Sequence, residues 1–153
     1  MSYYDVEKVR PSARKTPTIK INVLGAGRLP TKGTELAGCY DLYVRHLEVE
    51  DGKVKYYLGI KTELPEGYDA IIMPRSSIHK MNLKLSNSVG YIDNDYRGEW
   101  MAVFYTEKNS KLYEIGDRCC QFRLIEKIPF AFEPVSELSE TKRGEGGFGS
   151  TGI

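Results

Sequence analysis

The sequence has few of the residues that build metal sites, disulfide frameworks or membrane spans. Its 153 residues include two histidines and three cysteines, with no C-x-x-C spacing. An odd cysteine count without that spacing argues against both a disulfide framework and a zinc site. No apolar stretch is long enough to span a membrane, and residues 1–18 lack the apolar region of a signal peptide. We therefore expect a cytoplasmic protein that does not contact membranes.

The sequence also lacks an excess of charge of either sign. Its 22 basic and 21 acidic residues leave a formal net charge of +1, and no long basic or acidic run occurs. A general nucleic-acid binder would carry a basic patch or stripe, so nucleic acid is not an expected partner. A small anionic ligand remains possible, because it needs only a local cluster of arginines.

The cysteines are Cys39, Cys119 and Cys120. Adjacent residues of a β-strand point to opposite faces, so Cys119 and Cys120 are expected not to pair with each other. We expect all three to be small, reduced and mostly buried side chains, as in a cytosolic protein.

Helical periodicity is nearly absent, and short β-type runs alternate with turn signals such as Asp51-Gly52. The only predicted helix is one or two turns around residues 76–81. Spacing of this kind is typical of an all-β sandwich, jelly roll or small barrel. Without a repeat or linker, residues 1–153 are expected as one domain, with a loose arm over 1–18 and a polar tail over 134–153. The pattern predicts strands at residues 19–23, 68–73, 89–92, 100–106 and 118–125, and a short edge strand at 129–133.

The glycine-rich end of the tail is too flexible to pack a core. Arg143 offers donors that match phosphate, and Ser150 and Thr151, with the amides of flanking glycines such as Gly149, offer neutral donors. Phe148 offers a flat apolar face on which a base can stack. The tail is thus either a solvated terminus or a segment that closes on a nucleotide.

Two interior segments also carry polar groups on predicted turns or strand ends. Residues 74–77 read Pro-Arg-Ser-Ser and open the predicted helix, as either an ordinary capped start or an anion site. In residues 87–98, Asp93 and Asp95 would point to the same side of an extended chain. They indicate metal binding, base catalysis or a hairpin tip whose aspartates bond their own backbone.

Together these segments resemble a known family. Asp41 within residues 37–42, the run 74–77, and residues 90–98, 116–121 and 143–152 resemble, in order, the five motifs of the homotrimeric deoxyuridine triphosphatases (dUTPases). The resemblance runs from about residue 19 to the C-terminus. It implies a distorted jelly-roll β-barrel and a homotrimer with three sites shared between subunits. Each site would take its first, second and fourth motifs from one subunit, the third from a neighbour and the tail from the remaining one.

The resemblance also implies a role for each matching residue. Asp93 would activate the attacking water and contact the sugar 3′-hydroxyl, and Tyr96 would pack against the deoxyribose. Asp41 would hold Mg²⁺, through water. The uracil would be read by Asn87 and the backbone of Gly90, Tyr91 and Ile92, and covered by Phe148. The phosphates would be contacted by Arg75, Ser76, Ser77, Gln121, Arg143, Gly149, Ser150 and Thr151.

The implied reaction is hydrolysis of dUTP to dUMP and pyrophosphate by Mg²⁺-assisted in-line attack of water on the α-phosphorus. This activity keeps uracil out of DNA and supplies dUMP for dTMP synthesis. The alternative within the fold is a dCTP deaminase or a bifunctional deaminase–dUTPase, and a dUTP-dependent regulatory protein is a non-enzymatic alternative. The sequence departs from the family pattern at Cys39, where Gly is common, and at Tyr91, where Val or Ile is usual.

Overall fold

The computed structural model describes residues 16–147, which form ten β-strands and one short 3₁₀-helix. The helix spans Ser76–Lys80, between β6 and β7. The strands are β1 Lys20–Val23, β2 Tyr40–Tyr43, β3 His46–Glu50, β4 Lys53–Tyr57, β5 Ile60–Glu63, β6 Tyr68–Pro74, β7 Leu83–Leu85, β8 Gly90–Ile92, β9 Met101–Thr106 and β10 Arg118–Glu126.

The strands form three antiparallel sheets. One four-stranded sheet has the order β2-β10-β6-β8, the other has the order β3-β4-β9-β7, and β1 pairs with β5. Within the described four-stranded sheets, β3 and β4 are the only paired strands that are consecutive in the chain. Most pairings therefore join distant parts of the chain. The expected all-β class is confirmed. Among the described residues, no helix has the length and apolarity that a membrane span requires.

The core is built from the inward residues of alternating strands. In β4 and β9, every second residue is buried, which places Val54, Tyr56 and Phe104 inside. Trp100 is fully buried, packs edge-on against Phe122 at 5.0 Å between ring centroids, and donates its indole N–H to Thr62 at 3.1 Å. Such aromatic pairs contribute ~0.5–1.5 kcal/mol beyond burial, and the hydrogen bond avoids a buried unpaired donor.

Most of the predicted elements are confirmed. Asp51 and Gly52 form the β3–β4 hairpin turn, and Gly52 has the positive φ of 70° that favours glycine. The predicted strands at residues 19–23, 68–73, 89–92, 100–106 and 118–125 correspond to β1, β6, β8, β9 and β10 within two residues at each end.

The predicted edge strand at residues 129–133 is wrong. That stretch has no strand structure and is exposed throughout, with Phe130 79% and Phe132 88% exposed. The stretch is rich in aromatic residues, but Pro129 lacks a backbone N–H, and the described residues offer this stretch no pairing strand.

The expectation that Cys119 and Cys120 point to opposite faces is also wrong. A β-bulge between Arg118 and Cys120 breaks the alternation, so both side chains are fully buried and their sulfur atoms lie 3.6 Å apart. All three cysteines are free thiols, and Cys39 is only partly buried. The hydrogen bond with the neighbouring Cys119 thiol, together with burial, raises the pKa of Cys120.

The loops after β1 and β4 approach each other through two glycines. Gly59 has a φ of 68°, accepts a hydrogen bond from the Leu24 N–H at 2.8 Å, and lies directly against Gly27. A Cβ at Gly59 would lie 2.7 Å from the Gly27 Cα, and this neighbour is backbone that cannot swing away. Close backbone packing therefore requires glycine here.

This packing predicts that Gly59→Ala is strongly destabilising, by roughly 2–4 kcal/mol, since it adds a steric collision to the strain of a positive φ. Gly52→Ala is the matched control, because Gly52 also has a positive φ but has open space around its Cβ. The free energy of unfolding, measured in urea at equal protein concentrations, should fall clearly more for Gly59→Ala. Equal losses in the two variants would show that the Gly27–Gly59 contact is not tight.

Candidate functional site

Two arginines contact one buried carboxylate at one end of the β2-β10-β6-β8 sheet. Arg75 Nε donates to Asp41 Oδ1 at 2.8 Å, and Arg118 Nη1 donates to Asp41 Oδ2 at 3.2 Å. The Asp41 side chain is only 9% exposed, whereas that of Arg118 is 46% exposed. We call Asp41, Arg75 and Arg118 the guanidinium cluster.

Strand pairing brings the guanidinium cluster together. Asp41 lies in β2, Arg75 follows β6 directly, and Arg118 begins β10, which lies between β2 and β6 in the sheet. Gln121 of β10 lies opposite Asp41, and its side-chain amide donates to the Pro74 carbonyl at 3.0 Å. Residues that are far apart in sequence therefore share one sheet end.

The guanidinium cluster is suited to bind an anion. One carboxylate opposes two guanidinium groups, so the cluster carries a net positive charge. Each guanidinium has five N–H donors in a planar fork and uses only part of them on Asp41, which leaves donors for phosphate oxygens. Asp41 thereby fixes the direction of both arginines before an anion arrives.

The residues after Arg75 do not form an ordinary capped helix. The 3₁₀-helix Ser76–Lys80 has Arg75 at its N-cap position, with no side-chain capping hydrogen bond. Ser76 and Ser77 follow Arg75 directly and thus lie next to the guanidinium cluster in the chain.

A second polar group lies on the turn after β8. The Tyr96 N–H donates to the Asp93 carbonyl at 3.1 Å, and Asn94 and Asp95 occupy the turn. We call residues 93–96 the Asp93 turn. Because the chain turns here, Asp93 and Asp95 do not lie on an extended strand, contrary to the expectation from the sequence. The Asp93 side chain is exposed at the tip.

Neighbouring residues hold the Asp93 turn. Arg97 Nη1 donates to the Asn94 carbonyl at 2.7 Å, and Tyr96 Oη donates to the Glu99 carbonyl at 3.0 Å. The Tyr96 ring lies over Gly98, where any Cβ would collide with the tyrosine hydroxyl. Gly98 therefore allows Tyr96 to fold back as it does.

The guanidinium cluster and the Asp93 turn lie at opposite ends of β6. The Asn94 N–H donates to Asp69, the second residue of β6, at 2.8 Å, whereas Arg75 directly follows the last residue of β6. Six residue steps of extended chain separate Asp69 and Arg75, which is about 20 Å at ~3.3 Å per residue. Within one subunit, the guanidinium cluster and the Asp93 turn are therefore two separate polar groups.

The remaining predicted site residues fall into three groups. Gly90, Tyr91 and Ile92 form β8, and Asn87 precedes this strand, with its side-chain amide beside Gly90. Arg143 lies in the exposed C-terminal segment, and its side chain donates to the Gly146 carbonyl at 2.8 Å. This contact involves neither the guanidinium cluster nor the Asp93 turn. Four predicted site residues lie outside the described part of the chain: Phe148, Gly149, Ser150 and Thr151.

Sequence reasoning missed two residues of these groups. Arg118 was visible only as part of residues 116–121, and its direction depends on the bulge that alternation does not show. Asp69 is 4% exposed, and it interrupts the otherwise apolar strand β6, which is a signal for a specifically paired acid. Among residues 16–147, no group of three or more metal-ligating side chains comes together.

Family membership follows from comparison with known proteins. Residues 26–152 match the family model of the dUTPases. This chain belongs to the dUTPase family. It is 41% identical over 100 residues to the SPbeta prophage-derived deoxyuridine 5'-triphosphate nucleotidohydrolase of Bacillus subtilis, which covers 62% of this chain and 68% of that relative. It is 35% identical over 134 residues to the deoxyuridine 5'-triphosphate nucleotidohydrolase of Dictyoglomus turgidum, over 82% of this chain and 90% of the relative.

Solved dUTPase structures share the fold. The Staphylococcus bacteriophage 80alpha dUTPase with dUPNHPP superposes with a TM-score of 0.75 at 22% identity, over 89% of this chain and 99% of that chain. A mutant dUTPase from S. aureus phage phi11, described with a structural Mg(II) ion, has a TM-score of 0.64 at 18% identity, over 78% and 97%. These similarities confirm the jelly-roll class of the dUTPase fold.

A partly buried ion pair between Arg45 and Glu99 lies just beyond the Asp93 turn in the chain. Arg45 donates to both carboxylate oxygens of Glu99, at 2.9 and 2.8 Å, and the Gly59 N–H donates to Glu99 at 2.9 Å. Burial opposes ionisation of Glu99, but the hydrogen bonds from Arg45 and Gly59 outweigh it and lower the Glu99 pKa below 4.5. A lowered folded-state pKa gives stability that is present above the unfolded pKa and lost as the pH falls through the folded one.

The lowered pKa of Glu99 predicts how the stability of Glu99→Gln depends on pH. At pH 7 the unfolding free energy of the variant should be about 1–2 kcal/mol lower than that of the wild type. As the pH falls below the usual glutamate pKa, the unfolding free energy should decrease less in the variant than in the wild type. Glu63→Gln is the control, since its partner Lys20 forms an exposed pair that contributes little. Urea unfolding at pH 7, 5 and 3.5 measures the difference, and parallel curves for wild type and Glu99→Gln would contradict the assignment.

Proposed function

We propose that this chain hydrolyses dUTP to dUMP and pyrophosphate by attack of water on the α-phosphorus. The observation that carries the proposal is the guanidinium cluster, in which Asp41 directs two arginines toward one place, within a chain of the dUTPase family. Charge builds on phosphate oxygens during phosphoryl transfer, so fixed cationic donors stabilise the transition state.

The uracil is read along β8. This strand lies at the edge of its sheet and pairs only with β6 among the described strands, so its other edge offers backbone donors and acceptors. Gly90 lies against Ile72, and with Tyr91, Ile92 and the Asn87 amide it supplies the base-reading groups. Uracil and cytosine present opposite groups at the 4-position, so a site that pairs with uracil refuses cytosine by ~10⁴-fold or more.

Asp93 acts as the general base. Its exposed carboxylate at the tip of a braced turn is placed to take a proton from a water molecule and to contact the sugar 3′-hydroxyl. Tyr96, folded back over Gly98, packs against the deoxyribose and leaves no room for a 2′-hydroxyl.

The triphosphate lies on the guanidinium cluster. Arg75 and Arg118 use their free guanidinium donors on phosphate oxygens. Neutral donors come from Ser76 and Ser77 beside Arg75 and from the Gln121 amide. In the tail, Arg143, Gly149, Ser150 and Thr151 contact the terminal phosphates, and Phe148 covers the base.

The active site is shared between three subunits of a homotrimer. Support comes from the separation of about 20 Å along β6 between the Asp93 turn and the guanidinium cluster, since a base that acts on the α-phosphorus must lie within hydrogen-bond reach of the attacking water. The third motif of one subunit therefore faces the guanidinium cluster of a neighbour. The tail comes from the remaining subunit and excludes water when it closes.

Mg²⁺ is the proposed metal, held by the phosphates and by Asp41 through water. Both carboxylate oxygens of Asp41 already accept from guanidinium groups, so a water-mediated contact suits Asp41 better than direct coordination. This is compatible with an ion that prefers oxygen ligands and keeps several waters. When bound, Mg²⁺ would neutralise charge on the phosphates.

We also infer a cytoplasmic location. The three cysteines are free thiols, and two of them lie 3.6 Å apart without a disulfide bond. Reduced cysteines of this kind are typical of the cytosol.

Pyrophosphate release measured with dUTP, dCTP, dTTP and UTP, each with and without Mg²⁺, tests the proposal. We expect release from dUTP, strengthened by Mg²⁺, and at least about 10²-fold less from the other three nucleotides, because β8 selects the base and Tyr96 the sugar. Ammonia release from dCTP would instead indicate the deaminase branch of the fold, and no release from dUTP would overturn the proposal.

Two matched substitutions assign the base within the same assay. Asp93→Asn should bind the non-hydrolysable analogue dUpNHpp but lose at least about 10²-fold in turnover. Asp95→Asn, which changes the other carboxylate of the same turn, should stay within about tenfold of the wild type. Near-normal turnover of Asp93→Asn would refute its role as base.

A further inference from the structure

Asp69 is a buried carboxylate that the proposed reaction does not use. It lies in β6, is 4% exposed, and both of its oxygens are engaged. Oδ2 accepts from the Tyr91 hydroxyl at 2.7 Å, and Oδ1 accepts from the Asn94 N–H at 2.8 Å. The half-exposed Lys127 ammonium lies 3.6 Å from Oδ1. Asp69 therefore joins β6 to the chain on both sides of Asp93.

The strand register places the contacts of Asp69 next to Asp93, the proposed general base. Ala70 lies opposite Ile92, so Asp69 and Asp93 are the next residues along their two strands. Tyr91 is two residues before Asp93 and Asn94 is one residue after it. The Asp93 side chain itself is exposed, so its direction depends on how these flanking residues are held.

Asn94 strengthens the same attachment. Its side-chain amide donates to three backbone carbonyls at the start of β6 and just before it, those of Leu64 at 3.2 Å, Pro65 at 2.8 Å and Tyr68 at 2.8 Å. Both the backbone and the side chain of Asn94 are thus fixed to one place. We call the contacts of Asp69 with Tyr91 and Asn94 the Asp69 clasp.

A role in stability alone does not account well for the Asp69 clasp. Removing a carboxylate from water is costly, and well-packed apolar residues often replace buried ionic groups without loss of stability. An acid at this place does what an apolar residue cannot, because it fixes two separate donors at once. The hydrogen bond to Asp69 also raises the pKa of Tyr91, as expected for a phenol that donates to a carboxylate.

We propose that Asp69 is a positioning residue for Asp93, which holds the Asp93 turn so that the exposed carboxylate points at the attacking water. This inference rests on the proposed function of Asp93 as general base. A base must come within about 3 Å of the proton that it takes, and a displacement of about 1 Å can cost up to 10²-fold in rate. Substrate binding depends on many more contacts and is less sensitive to the direction of one side chain.

The test compares kcat from pyrophosphate release, the Kd for dUpNHpp and hydrogen exchange of the Asn94 amide in the full-length trimer. Asp69→Ala removes both accepted hydrogen bonds, and Asp69→Asn keeps an acceptor for the Asn94 N–H. Tyr91→Phe removes only the hydroxyl. Tyr57→Phe is the matched control, because it removes a tyrosine–carboxylate hydrogen bond of 2.9 Å, to Glu48, on another sheet.

We expect Asp69→Ala to lower kcat at least about tenfold while the Kd for dUpNHpp stays within about threefold and Asn94 exchange accelerates. Asp69→Asn should recover part of kcat, Tyr91→Phe should lose about two- to fivefold, and Tyr57→Phe should match the wild type. If Asp69→Ala does not fold, Asp69→Asn and Tyr91→Phe decide the question by the same split between kcat and Kd.

The contrary outcomes are distinct. The positioning role alone would be overturned if the activity of Asp69→Ala stayed within about twofold of the wild type. It would also be overturned if the activity of Asp69→Ala fell only in proportion to its folded fraction. Equal losses in Tyr91→Phe and Tyr57→Phe would do the same. A wild-type chain that releases no pyrophosphate from dUTP would overturn the proposed function and the positioning role with it.

Discussion

Strand β6 constrains where chemistry can take place in this chain. It is paired with β10 on one side and β8 on the other, so it cannot bend to bring its two ends together. One end carries Arg75 of the guanidinium cluster, and the other end carries Asp69, which holds the Asp93 turn. The guanidinium cluster and the Asp93 turn are therefore fixed about 20 Å apart, and the proposed site combines groups from more than one subunit.

A buried carboxylate lies at each of these two positions. Asp41 accepts from two arginines, and Asp69 accepts from Tyr91 and Asn94. Burying either acid would be unfavourable without such partners. In both cases the partners belong to, or directly flank, groups with a proposed role. The same hydrogen bonds that make burial tolerable therefore also set the direction of these groups.

The strands and turns were largely predictable, because alternation and turn residues such as Gly52 act locally. Asp41, Arg75 and Gln121 were identified from motifs, and the structure brings them together. Local patterns failed elsewhere. The β10 bulge put Cys119 and Cys120 on the same side of the strand, and the aromatic-rich residues 129–133 have no strand to pair with among the described residues. The contacts of Asp69 depend on strand pairing, which no local pattern contains.

Complementation between two inactive chains tests the shared site most directly. One chain is truncated before Arg143, and the other carries Asp93→Asn. Mixed trimers should recover dUTP hydrolysis, because some sites combine an intact Asp93 from the truncated chain with an intact tail from the other. A chain that carries both changes, mixed with the truncated chain, is the inactive control. Mixed trimers that form but show no hydrolysis would contradict a site built from several subunits.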